Sequence, residues 1–226
     1  MNSFLKPLVV NLKNYPEIAG KMSIIFAKDA ASAANGSVNL ILAPPVCSLQ
    51  AVCDIASLPV ISQHVDDVEY GATTGFIVPE YVKACGAVGS LLNHSEHKIS
   101  SIKIKNLVRR LGTLNMISIV CAADIEEAIT LSKYSPDYIA IEPPDLIGKG
   151  IAVSKADPSI IVNSVREIEK VSKKTRVLCG AGIVHKEDVT IALELGASGI
   201  LVASGVVKAS SWKAKIRDLC SAFNRS

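Results

Sequence analysis

The 226-residue chain is 49% hydrophobic, with 14 Gly and 10 Pro, which is ample for one large core and ordinary in its turn formers. Its net charge of +3 is spread without a basic run, leaving no footprint for nucleic acid or a membrane surface, and its apolar stretches are strand-sized, too short to span a bilayer. The N-terminal "MNSFLKPLVV" lacks a signal-peptide h-region, so the expected location is the cytoplasm, where six scattered cysteines without a C-x-x-C read as reduced thiols and His64, His94, His97 and His185 show no metal-ligand spacing.

In chain order, the first apolar run is "PLVVNL" (residues 7–12). A helix-like segment follows at residues 16–34, with Pro16 and Glu17 suited to its first turn. "VNLILA" (38–43) leads to a weaker helical stretch, and "PVISQH" (59–64) to a short Gly/Thr-rich one. "AVGSLLN" (87–93) and "MISIVC" (116–121) come next, then a helix with Asp124 as N-cap and Lys133 near its end. "YIAI" (138–141) precedes the helical residues 157–174, and "RVLC" (176–179) precedes a helix that stops at Gly196. "GILVA" (199–203) is the last run. The runs are continuous rather than alternating, as parallel strands covered on both faces require.

Eight strand candidates joined by right-handed crossovers imply a compact α/β protein, a (β/α)8 TIM barrel formed by residues 1–226 as a single domain. The rival, an open doubly wound sheet, usually announces a Gly-rich first turn, and "NLKNYPE" has none.

A barrel of this kind places its active site at the C-terminal strand ends. Counting side chains by twos, Asn11 and Lys13 share a face with Val9, a hydrogen-bonding group and a cation suited to an anionic substrate. His94 shares a face with Ser90 and Leu92 at the rim. Glu142 shares one with Tyr138 and Ala140, so a carboxylate overhangs the mouth. "GAGI" (180–183) and "ASG" (203–205) offer small residues whose backbone N–H groups can approach an anion, where barrels frequently bind phosphate.

With Asn11-x-Lys13, "NHSE" (93–96), "EPPDLIGKG" (142–150) and "ASG" at the right strand ends, the chain resembles the triosephosphate isomerase family in its short archaeal-type form. The resemblance covers nearly the full length. It implies interconversion of dihydroxyacetone phosphate and D-glyceraldehyde 3-phosphate, in glycolysis and gluconeogenesis, without cofactor or metal. Glu142 matches the family's base, His94 the electrophile that polarises the carbonyl, and Lys13 the cation that holds substrate, oriented by Asn11. Glu96 matches a supporting carboxylate. The neutral state of the histidine, favoured by the positive end of the helix expected after it, is inherited from the family, itself a standard case of pKa tuning. Ile147 and Gly148 match the phosphate-gripping tip of a lid hinged at Pro143-Pro144 and Lys149-Gly150; Gly180, Gly182, Ala203 and Ser204 match the remaining phosphate region. The implied partners are triose phosphates and further copies of the chain, as a homodimer or homotetramer. Asp145, Lys149, Phe76 and His97 depart from the family's pattern. The alternatives are another sugar-phosphate isomerase or epimerase on the same barrel, and a binding protein with lost catalysis.

Overall fold

The structure, a computed structural model, describes residues 4–34, 36, 38–143 and 156–224. Four-residue apolar runs form most of the strands: β1 (Leu8–Asn11), β2 (Leu40–Ala43), β3 (Gly89–Leu92), β4 (Ile117–Ala122), β5 (Tyr138–Ile141), β6 (Arg176–Cys179) and β7 (Gly199–Val202). Nearly every residue in them is buried, because both faces of the sheet are covered. All pairs are parallel, in the order β2-β1-β7-β6-β5-β4-β3.

The segment expected as an eighth strand, residues 59–64, reduces to two isolated bridges, Leu42↔Val60 and Ser62↔Ser90. It still closes the ring. Ile61 donates its N–H to the Leu42 carbonyl (2.8 Å), and Leu91 donates to the Ser62 carbonyl (2.9 Å). It stays short for local reasons. Pro59 has no N–H to offer a ladder, and neither has Pro44, two residues beyond Leu42 on the edge that faces this segment. The result is a parallel barrel of seven laddered strands and one bridged stave.

Alternation then sorts the core. Val9, Ile41, Ile119, Tyr138, Leu178 and Leu201 belong to a cluster inside the barrel, while Val10, Leu42, Val120, Ile139 and Cys179 pack outward. The outer layer is made by α1 (Met22–Ala34), α2 (Leu49–Ile55), α3 (Pro79–Ala84), α4 (Ser101–Thr113), α5 (Ile125–Ser132), α6 (Pro158–Val171), α7 (Lys186–Glu194), α8 (Ser204–Val207) and α9 (Trp212–Ser221). Asp124 caps α5 by accepting from the Glu127 N–H (2.7 Å), and Asp157 caps α6 by accepting from Ser159 (3.1 Å). The first helix is the one that differs from expectation. Residues 16–34 split into a 3-10 turn (Pro16–Ile18) and α1, because Gly20 between them adopts φ +55° and ends the helical path. Among the described residues no helix is long and apolar enough to cross a membrane.

Candidate active site

At the C-terminal rim, simple alternation gives way to left-handed backbone. β1 stops at Asn11, and Lys13 reaches the mouth with φ +49°, a conformation that costs a non-glycine residue about 1–3 kcal/mol. Two side chains hold it there. Asn11 Oδ1 accepts the Lys13 N–H (3.0 Å), and Gln63 Nε2 donates to the Lys13 carbonyl (3.1 Å). Asn11 therefore orients the lysine through its backbone. The Lys13 side chain is 10% exposed, and its Nζ meets Glu96 Oε1 at 2.7 Å.

His94 arrives similarly. Alternation groups it with Leu92, which packs in the outer layer, but Asn93 takes φ +59° and swings the following residue over the barrel. Asn93 is locked by three contacts: its amide donates to the Cys121 carbonyl and to Glu127 Oε1 (both 2.9 Å), and its Oδ1 accepts from Ile99 N–H (3.2 Å). Next comes a turn, closed by the His97 N–H donating to the His94 carbonyl (2.8 Å), and α4 begins only at Ser101. The expected helix end beside His94 is thus corrected to a turn. One N–H of that turn does the local work: Glu96 N–H donates to His94 Nδ1 (3.1 Å), which places the neutral ring's proton on Nε2. Burial pushes the His94 pKa down to about 4, helped by the charges of Lys13 and Lys98 against the opposing pull of Glu96.

Glu142 follows β5 on the inward face, with its N–H donating to the Ala122 carbonyl (2.9 Å). It is 5% exposed. Desolvation raises its pKa to about 7, although the Cys121 thiol donates to the carboxylate and Lys13 attracts it, both lowering the value. Oε2 has no hydrogen-bond partner, and it lies 3.4 Å from His94 Nε2. With the imidazole neutral this is a dipole facing a carboxylate, not an ion pair. A buried carboxylate oxygen left unmatched is costly, and such sites persist where a function needs them.

Gly180 makes room for this carboxylate. A Cβ there would sit 2.5 Å from Glu142 Cγ and 3.0 Å from the Ile141 carbonyl oxygen. Its N–H donates to that same carbonyl (3.0 Å), so the residue acts as a spacer and has no donor left for an anion. Gly180→Ala is expected to push Glu142 off its position, with overpacking that costs about 1–3 kcal/mol and a kcat loss of up to about 10²-fold. Thermal unfolding and steady-state kinetics check it; a variant with wild-type kcat would remove the spacer role.

Lys13, His94, Glu142, Gly180, Gly182, Ala203 and Ser204 line one cavity of about 470 Å3 together with Asn11. At the end away from His94, Gly182 has φ +73°, and the N–H groups of Gly182, Ser204 and Gly205 have no acceptor among the described residues. Ile147 and Gly148, with Asp145 and Lys149, lie outside the described residues. His97 stacks on His64 (ring centroids 4.0 Å apart, 22° between planes) in the wall of the neighbouring cavity, and Phe76 is exposed. Sequence reasoning missed Gln63, Cys121, Tyr15 and Lys208. Cys121 could have been found by alternation, since Ile117 and Ile119 share its inward face. Gln63 gave no local signal, because its partners belong to other strand ends.

The family model described as "Triosephosphate isomerase" matches residues 6–222. The triosephosphate isomerase of Cenarchaeum symbiosum (strain A) is 48% identical over 218 residues, covering 96% of this chain and 97% of the relative. That of Methanocaldococcus jannaschii is 41% identical over 213 residues, covering 94% and 97%. The Methanothermus fervidus protein of the same name is 41% identical over 213 residues, covering 94% and 96%. Since these matches run from the first strand to the last helix, the chain belongs to the triosephosphate isomerase family.

Proposed function

We propose that this chain, an aldose–ketose isomerase of triose phosphates, works through an enediolate, with Glu142 as the base and neutral His94 as the electrophile. Glu142 Oε2 takes a proton from the hydroxymethyl carbon of dihydroxyacetone phosphate. Negative charge then develops on the carbonyl oxygen, where the Nε2–H of His94 donates a hydrogen bond and the Lys13 ammonium adds a positive field. Returning the proton to the former carbonyl carbon, with the hydroxyl proton shuttled between the two oxygens, yields glyceraldehyde 3-phosphate. Every atom is conserved and nothing is oxidised overall.

The observation that carries this reading is the buried Oε2 of Glu142, unmatched by any donor and 3.4 Å from His94 Nε2. A carboxyl with a pKa of about 7 is strong enough as a base to act on a weakly acidic C–H and still half ionised near neutral pH. Gly182 and Ser204 supply backbone donors for the phosphate in this reading, and Ile147 and Gly148 would add theirs from the segment outside the described residues. The chain is further taken as a homo-oligomer. The exposed Phe76 and the edge-to-face pair of Tyr70 and Tyr81 (4.8 Å) support a contact on that face.

A coupled assay tests the reading. Purified protein should isomerise glyceraldehyde 3-phosphate without added metal or cofactor, and inorganic phosphate should compete with substrate. Protein that binds phosphate but leaves the triose unchanged would sink it.

A further inference from the structure

Lys208 directly follows α8, and its Nζ stands 4.5 Å from the centroid of the Tyr15 ring. Both residues line the 470 Å3 cavity that holds Lys13, His94 and Glu142. One helical turn connects Lys208 to the phosphate end, through its N–H donating to the Ser204 carbonyl (3.1 Å).

Charge counting gives this lysine its significance. Triose phosphate brings a dianion into the cavity. Lys13 is already paired with Glu96 at 2.7 Å, so its positive charge is largely balanced before substrate arrives, and His94 is neutral. Lys208 is the other cation on the lining, and it forms no ion pair among the described residues. A ring face attracts an ammonium without using up its N–H donors. The Tyr15 ring thus holds an unsaturated cation on the lining of the same cavity as the three backbone donors. The adjoining cavity of about 340 Å3, which Lys208 also borders, contains Glu17 and Asp29; Asp29 is engaged by Lys213 at 3.2 Å. A purely structural role for Lys208 would run through Tyr15 or Glu17.

We propose that Lys208 is a second cation of the substrate site, binding the phosphate dianion at the end formed by Gly182, Ser204 and Gly205. The proposal rests on the triose phosphate reading of the cavity. In it, Lys13 serves the reacting oxygens while Lys208 serves the phosphate, and the exposed ammonium also draws the dianion in from solvent.

The test compares the full chain with Lys208→Met and Lys208→Arg. It uses glyceraldehyde 3-phosphate, unphosphorylated D-glyceraldehyde and inorganic phosphate. Lys208→Met should raise both KM for the phosphorylated triose and the phosphate inhibition constant about tenfold, the scale of one hydrogen bond to a charged group. The ratio of kcat/KM for phosphorylated over unphosphorylated triose should fall by a similar factor, while Lys208→Arg keeps most of it. Unchanged phosphate inhibition in Lys208→Met would overturn the proposal. So would equal losses on both trioses, which mark a structural role. If wild-type protein fails to isomerise triose phosphate yet direct calorimetry shows weaker phosphate binding by Lys208→Met, the reaction assignment falls and the phosphate cation stands.

Discussion

Glu142→Gln should lower kcat by at least about 10²–10⁴-fold, the usual contribution of a positioned general base, with little change in KM. The amide keeps the shape of the carboxyl but cannot accept the substrate proton. The same change should make the protein more stable at alkaline pH. The folded-state pKa is raised from 4.5 to about 7, so the folded protein holds this proton more tightly than the unfolded chain does. The penalty for ionising the buried carboxyl is absent below about pH 4.5, grows as pH rises, and is complete above about pH 7. At about 1.4 kcal/mol per pKa unit, the Gln variant should gain up to about 3 kcal/mol at pH 8 and nothing at pH 4. Denaturant unfolding at the two pH values measures this. A variant with near wild-type kcat would remove Glu142 as the base.

His94→Gln should cost about 10²–10³-fold in kcat, the scale of losing one donor to a developing oxyanion. KM should move less, because the ring acts chiefly as charge builds on the oxygen. Glutamine can donate a hydrogen bond, but the Glu96 N–H that fixes the imidazole through Nδ1 would face an amide of different reach. The donor would then no longer be held toward the substrate. A rise in KM with kcat intact would make His94 a binding residue rather than the electrophile.

Much of the barrel is legible in the sequence, for a physical reason: buried parallel strands need continuous apolar runs, and helix caps need short acceptors such as Asp124 and Asp157. Glu142 was legible too. It continues the inward face of Tyr138 and Ala140, so alternation alone aims it correctly. The paths of Lys13 and His94 were not. Alternation predicts a direction only while the strand lasts, and β1 and β3 stop before both residues. Left-handed backbone at Lys13 and Asn93 then sets the aim. Asparagine tolerates that region and offers a hint at position 93; lysine offers none. What holds them comes from far along the chain, Gln63 for Lys13 and Glu127 for Asn93. Small residues after a strand suggest an anion donor at Gly180, but its neighbour is the Glu142 side chain and its N–H is spent on the Ile141 carbonyl. The bridged stave at residues 59–64 has a more local cause, prolines at positions 44 and 59 that lack the N–H a ladder would need.

The account turns on a division of labour between two titratable groups 3.4 Å apart, one pushed up and the other pushed down by the same burial. A single NMR titration of the free protein, labelled at the glutamate carboxyl carbons and the histidine ring nitrogens, reads both at once between pH 8 and pH 5. The account predicts that the Glu142 carboxyl takes up a proton near pH 7, while the His94 ring stays neutral throughout, with Nε2 protonated and Nδ1 bare. Protonation of His94 in that range, with Glu142 still ionised, would contradict it.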